Sequence, residues 1–392
     1  MSKFKKIYYI WIFLVLVIIS FHPLMYYLYV GKVFPRDSTI IGDIARMTYS
    51  VDLITGRKTE NNLEKKHIKY NEYVGGKVDV ITIGDSFSDG AAGGLNPYYQ
   101  DYIVSIYDKS VLDIKILRNS KNYIENIYAL LNSGELDKMG VKYVLIESVQ
   151  RRALERFSVE NINSSLEDIK EFSTLILNNK KTYSENKINE KLINNEYRYD
   201  STSWKYILNN LFTKSYNDDV SVINNLNINA LQYNLRFKIK GYGLMSSHVY
   251  REKLNKDLFS TKISNELLFY DEDLKYLKLE TKENIELLNK NFNLLAYELS
   301  KKGIKLIFMP AVDKYNLYRP YIISNIYKES IFFEYLETLQ KDYIFINTKY
   351  ILTKELENNE KDIYFVDDTH WSYKASKKII ESDIFRNIFN EK

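Results

Sequence analysis

The sequence predicts an α/β protein built on a parallel sheet and carried behind one membrane-crossing helix. Three observations predict it: an apolar run near the N-terminus, short β-branched runs alternating with helically spaced segments, and a return of that alternation near the C-terminus. Strands that alternate with helices imply parallel pairing, because the crossover helices pack on the faces of the sheet.

Residues 7–30, IYYIWIFLVLVIISFHPLMYYLYV, are interrupted only by Ser20, His22 and Pro23. At ~1.5 Å per residue such a helix crosses a ~30 Å hydrocarbon layer. Tyr8, Tyr9 and Trp11 at one end and Tyr26, Tyr27 and Tyr29 at the other suit the two interfacial belts. Lys3, Lys5 and Lys6 place residues 1–6 in the cytoplasm and the rest of the chain outside. A cleaved signal peptide is the rival reading, but the run is too long and no A-x-A-like site follows. Residues 31–78 are mixed and polar and read as a tether holding a helix or two. Val80–Ile83, ending at Gly84, reads as a buried strand and opens the first part of the α/β domain, 79–157. Tyr123–Leu131 has helical spacing, and Val141–Glu147 reads as the next strand. Residues 158–284, rich in Asn, Lys and Tyr, read as an insertion serving as a lid or substrate platform. The second part, 285–392, repeats the alternation: a helix over Ile285–Leu299, a strand over Ile304–Met309, a helix over Ile331–Leu339 and a strand over Tyr343–Ile346.

Composition excludes several classes of function. In 392 residues, Lys+Arg 55 against Asp+Glu 51 leaves a net charge of +4, and no basic stripe separates from the acidic residues. The electrostatic footprint of a nucleic-acid binder is missing. With no cysteine, a disulfide, a thiolate nucleophile and a sulfur-ligated zinc site are all excluded. No cofactor is expected. Asp85, Asp89, Asp367 and Asp368 form the sole candidate cation cluster, and they lack supporting ligands at set spacings, so no metal is expected either.

The chemistry concentrates in two motifs. In VDVITIGDSFSDG, residues 78–90, Ser86 follows a strand and Gly84, a position at the carboxyl edge of a parallel sheet where open α/β folds bind ligands. A helix starting there would aim its first amides at the space above Ser86 and hold an oxyanion. The bland reading is a strand-to-helix turn capped by Asp85 or Ser86. A serine nucleophile needs a base, normally a histidine oriented by a carboxylate. Of four histidines, His22 lies in the span, His67 in the tether and His248 in the insertion. His370 lies in YFVDDTHWSYKAS, just after Asp367 and Asp368, where a carboxylate can fold back onto the imidazole. Arg151, after the strand ending at Glu147, is a candidate for binding an anionic or carbohydrate group, or for a salt bridge with Glu147. Lys314 and Tyr318 would line the same cleft, and Trp371 completes the substrate-binding candidates.

Together GDSFS and DDTHW resemble the SGNH-hydrolase superfamily, specifically its membrane-anchored branch related to alginate O-acetyltransferases and to proteins named for a DHHW motif. KKGIKLIFMPAVDKYNLY (301–318) and IESVQRR (146–152) extend the likeness, which covers about 75–155 and 285–385. It implies a three-layer α/β/α domain, with Ser86 as nucleophile and His370 as base. An aspartate is its partner: Asp368 by the D-x-H-W pattern, Asp367 by the D-x-x-H spacing, with Trp371 favouring Asp368. Oxyanion candidates are the Ser86 amide, Gly93 and Asn119, with Gly94 and Asn96 also in view. The implied function is extracytoplasmic O-acyl transfer, most simply of acetyl, onto a cell-surface polysaccharide. A polytopic membrane-bound O-acyltransferase is the implied donor partner, with lipid held by the anchor. Ester hydrolysis with the same triad, a non-catalytic polysaccharide-binding subunit and D-alanyl transfer to teichoic acid are the alternatives.

Overall fold

The computed structural model describes residues 3–34, 41–54, 62–116, 122–160, 162, 174, 176, 178–180, 220–324 and 326–390. Its centre is a six-stranded sheet. In chain order the strands are β1 (Ile68–Lys69), β2 (Val80–Ile83), β3 (Val111–Ile114) and β4 (Tyr143–Val149). Strands β5 (Gly243–Leu244), β6 (Val249–Lys253) and β7 (Glu266–Tyr270) form a separate antiparallel sheet, before β8 (Lys305–Ala311) and β9 (Ile344–Phe345) return to the large one. The order of the large sheet is β1-β3-β2-β4-β8-β9, and every neighbouring pair runs parallel. All four residues of β2 are buried, as suits a mostly β-branched strand covered on both faces, with Thr82 satisfied by Asp113. From β2 the chain goes to β3 on one side and then to β4 on the other. The carboxyl edge of β2 is therefore a topological switch point, where a crevice opens.

The strand read at 80–83 is found there, and the other predicted elements shift by up to three residues. The strand read at 141–147 is 143–149, that at 304–309 is 305–311, and the helix read at 285–299 is Lys282–Ser300, begun by Thr281, whose side chain accepts from Asn284 N–H. β3 has no counterpart in the sequence reading, because Asp113 breaks its apolar run. That carboxyl is buried and accepts from Thr82 Oγ1 (2.9 Å) and Gln100 Nε2 (3.2 Å), and burial pushes it up to about 6. Phe308 of β8 packs on Phe292 (4.1 Å between centroids) and Phe157, tying helices 282–300 and 150–157 to the sheet.

The N-terminal helix, Lys3–Met25, runs on through a wider turn at Tyr26–Val30 to Val33 and is long and apolar enough to cross a membrane or act as a signal sequence. Its last turns join the domain. Val30, Val33, Ile41, Ala45, Tyr49 and Ala230 form a small apolar core of their own. Arg46 Nε donates to Val33 O (3.2 Å), and His22 Nδ1 lies 3.1 Å from Asn227 Nδ2 on the helix Leu226–Lys240. The described parts of 31–78 are therefore not a free tether: Asp43–Thr48 is a docked helix, and Ile68–Lys69 is an edge strand of the main sheet.

Candidate functional site

Ser86 sits three residues past the last residue of β2, and the turn that holds it is built by its neighbours in the sheet. Gly84 is required by close approach: a Cβ there would lie 2.1 Å from Ser88 Oγ and 2.4 Å from Glu147 Oε2. Glu147, fully buried on β4, accepts from Asp85 N–H (3.1 Å) and Ser88 Oγ (2.9 Å). Burial, reinforced by the charge of Asp85, drives its carboxyl well above the usual range. Asp85 behaves oppositely. Burial pushes it up, but Arg156 at 2.5 Å and the amides of Val149 and Phe87 outweigh that and keep it ionised, below its ordinary value. No helix begins at Ser86, so the amides that such a helix would have aimed above the serine are not presented that way. Residues 86–92 instead make consecutive turns, with Ser88 and Asp89 donating to Asp85 O and Ala91 to Ser86 O, and the next helix starts at Tyr99.

His370 comes from the loop 365–371, closed by an antiparallel bridge between Tyr364 and Trp371. His370 Nε2 lies 2.7 Å from Ser86 Oγ, and His370 Nδ1 lies 2.7 Å from Asp368 Oδ1. The same Asp368 oxygen accepts the His370 amide (2.9 Å), so the carboxylate folds back over two residues onto the ring. With a carboxylate facing Nδ1, that nitrogen carries the proton and Nε2 presents its lone pair to the serine hydroxyl. The Phe87 ring packs against the imidazole and edge-on against Trp371, both at 4.9 Å between centroids. Burial pulls the imidazole pKa down, but the Asp368 hydrogen bond and the charges of Asp368 and Asp43 override it and leave it raised. Ser86 is partly exposed, so the chain of three opens to solvent at the serine.

The structure thus joins Ser86, His370 and Asp368. Asp367, the alternative acid, turns the other way: its Oδ2 accepts Gly42 N–H (3.0 Å) and its carbonyl accepts Ala45 N–H (3.1 Å). The four residues read as substrate-binding are turned to internal partners. Lys314 is buried and donates to the carbonyls of Phe365 (2.7 Å), Val366 (2.9 Å) and Asp368 (2.9 Å), and burial lowers its pKa to about 8. Arg151 pairs with Asp313 (3.0 Å) and Asp273 (3.2 Å), and Glu147 is not its partner. Tyr318 is fully buried and its hydroxyl accepts from Tyr364 N–H, while Trp371 is buried against Phe87. Lys314 in particular is the post under the histidine loop.

Among the oxyanion candidates, the Gly93 amide is spent on Gly90 O (3.0 Å), and Asn119 lies outside the described residues. The Ser86 amide has no hydrogen-bond partner among the described residues and borders its own hydroxyl. Asn96 accepts from Leu63 N–H, away from the serine turn, and Gly94 has a left-handed φ of 81°. The acidic cluster read as a possible cation site is dispersed, with Asp89 paired to Lys115, Asp85 to Arg156 and Asp367 to Gly42. Asp43, Asp368 and His370 do bring ligand atoms within 4.8 Å of one another. Both ring nitrogens of His370 already have partners, so the grouping has the geometry of proton transfer.

Sequence reasoning missed Asp43, which accepts Thr369 N–H (2.8 Å) and whose Oδ2 lies 3.9 Å from His370 Nδ1. It missed Glu147 and Arg156 as supports of the serine turn; their proximity to a strand end was the available signal. Comparisons with family models, with curated proteins and with solved structures return no match for this chain.

Proposed function

We propose that the chain is a serine-dependent O-acyltransferase of SGNH-like, three-layer α/β/α architecture, displayed outside the cell by its N-terminal helix and acting on a cell-surface polysaccharide. One observation carries the reading: Ser86 Oγ, the His370 ring and Asp368 form an unbroken hydrogen-bonded chain with 2.7 Å at each link. It lies at the switch point of a parallel sheet, which is where such folds place their chemistry.

His370 Nε2 takes the proton of Ser86 as its oxygen attacks the acyl carbonyl carbon. The Ser86 amide is placed to donate to the developing oxyanion. Collapse expels the donor's leaving group, which takes the proton from His370, and leaves an ester on Ser86. A sugar hydroxyl then attacks that ester, His370 again accepting the proton, and the Ser86–acyl bond breaks with the proton returned to Ser86. The polysaccharide is the acceptor. A polytopic membrane-bound O-acyltransferase is the proposed source of acyl groups, since common acyl donors are cytoplasmic and the anchor holds the two proteins in one bilayer. Two groups of helices support the layered architecture: 123–132, 150–157 and 282–300 contact one another, as do 99–107, 348–357 and 373–380 in part.

The test is acceptor competition. With p-nitrophenyl acetate as donor, acetylated oligosaccharide is expected to rise at the expense of free acetate as acceptor is added. Acetate release indifferent to every acceptor would assign the same triad to a carbohydrate esterase. Folded protein with no cleavage at all would leave a polysaccharide-binding subunit.

A further inference from the structure

We propose that Asp43 is a positioning residue for His370, a second carboxylate that the segment next to the apolar helix supplies to the base. The inference rests on the reading of Ser86, His370 and Asp368 as an acyl-transfer triad and adds a part to it.

Three contacts dock this segment on the histidine loop. Gly42 N–H donates to Asp367, Ala45 N–H donates to Asp367 O, and Asp43 takes the amide of Thr369, the residue between Asp368 and His370. The fit excludes any side chain at 42, where a Cβ would lie 1.9 Å from Asp367 O. Thr369 Oγ1 also donates to Asp43, so both carboxylate oxygens are aimed at the loop. Of these oxygens, Oδ2 stands 3.9 Å from Nδ1, behind the Asp368 hydrogen bond.

The charges facing the ring can be enumerated. Asp368 comes from its own loop and Asp43 from helix 43–48, both favouring the imidazolium, while Arg151 from helix 150–157 opposes it. Lys314 lies beneath the loop with its ammonium satisfied by three carbonyls. The turn after β2 faces the ring with Ser86 and the Phe87 ring, both uncharged, while Asp85 of the same turn is paired to Arg156. When His370 takes the serine proton, Asp368 and Asp43 both stabilise the imidazolium against the opposing charge of Arg151. Asp43 is itself raised, by burial and by Asp368, which is the cost of placing two carboxylates around one ring.

The segment also grips the apolar helix. Arg46, one turn along, holds Val33 O, and Ala45 packs with Val30 and Val33. One short helix therefore touches the end of the apolar helix on one side and the histidine loop on the other.

The test reads His370 directly. In full-length protein in detergent micelles, carrying Ser86→Ala and ¹³C-labelled histidine, the four imidazoles are titrated by NMR with Asp, Asn or Glu at position 43. Asp43→Asn is expected to lower the His370 midpoint by about half a pH unit or more, as a unit charge at this distance gives under near-aqueous screening. Asp43→Glu is expected to keep the midpoint near the parent value, and His67 and His248 are expected to stay put in both. In protein with Ser86 intact, the acid limb of kcat/KM should move down with the midpoint. A His370 midpoint unmoved in folded Asp43→Asn protein overturns the proposal. Loss of fold in both Asp43→Asn and Asp43→Ser also overturns it, in favour of a purely structural role. Since the titration is made without the nucleophile, it stands or fails independently of whether acyl transfer is the reaction.

Discussion

The two loops that meet at the site are held by different means. The serine turn is supported from its own side of the sheet, by Glu147 and Val149 of β4 and by Arg156 of the helix that follows. The histidine loop is supported from far along the chain, by Lys314 after β8 and by Gly42–Ala45 next to the apolar helix, 325 residues away at the Gly42–Asp367 contact. Ser86 is thus held by a strand and its neighbour. His370 depends on two remote segments arriving together, so it is the more fragile half of the pair.

That contrast can be broken at its strongest point with Lys314→Met. Three buried carbonyls would lose their donor, with an expected cost of about 3 kcal/mol in thermal or denaturant unfolding and loss of activity with it. Lys314→Arg is not expected to rescue, because a planar fork does not fit a pocket shaped for one ammonium. A Lys314→Met protein of parent stability and activity would show that the loop holds itself.

On the serine side the expected effect is smaller. Gly84→Ala drives a methyl into Ser88 and Glu147, which overpacking costs of about 1–3 kcal/mol would register, along with at least a tenfold drop in kcat/KM. Unchanged kinetics would mean the turn can shift without moving Ser86.

The mildest change sharpens the comparison through pH. A carboxyl raised in the folded state contributes its stability below the ordinary value of 4.5, and that contribution is lost as pH rises toward its folded value. Glu147→Gln keeps the shape of the protonated group and cannot ionise. The variant is expected to stay within about 1 kcal/mol of the parent at pH 5 and to gain on it as pH rises toward 8. A relative loss at high pH would mean that Glu147 works as an anion.

Legibility in the sequence follows the same divide. β2, its glycine and Ser86 were readable because a β-branched run, a tight turn and a nucleophile lie within a dozen residues. Asp368 and His370 were readable as a pair because the carboxylate folds back locally. β3 was hidden by Asp113, whose inward carboxyl is satisfied by Thr82 and Gln100 from neighbouring elements. Asp43 was hidden for a related reason: GDIARMT has no sustained apolar period, and its value lies in contacts more than three hundred residues away. Lys314 and Arg151 were read as ligand-facing from their charge and their places just past two strands, with a salt bridge as the alternative for Arg151, whereas their burial is set by Asp273, Asp313 and the loop carbonyls that tertiary packing gathers around them.

The most direct test of acyl transfer through Ser86 is intact-mass and peptide mass spectrometry of the protein after incubation with p-nitrophenyl acetate, beside Ser86→Ala and His370→Ala. The account predicts one acetyl adduct on the peptide containing Ser86, absent from both variants. An adduct elsewhere, or one that persists without His370, would contradict it.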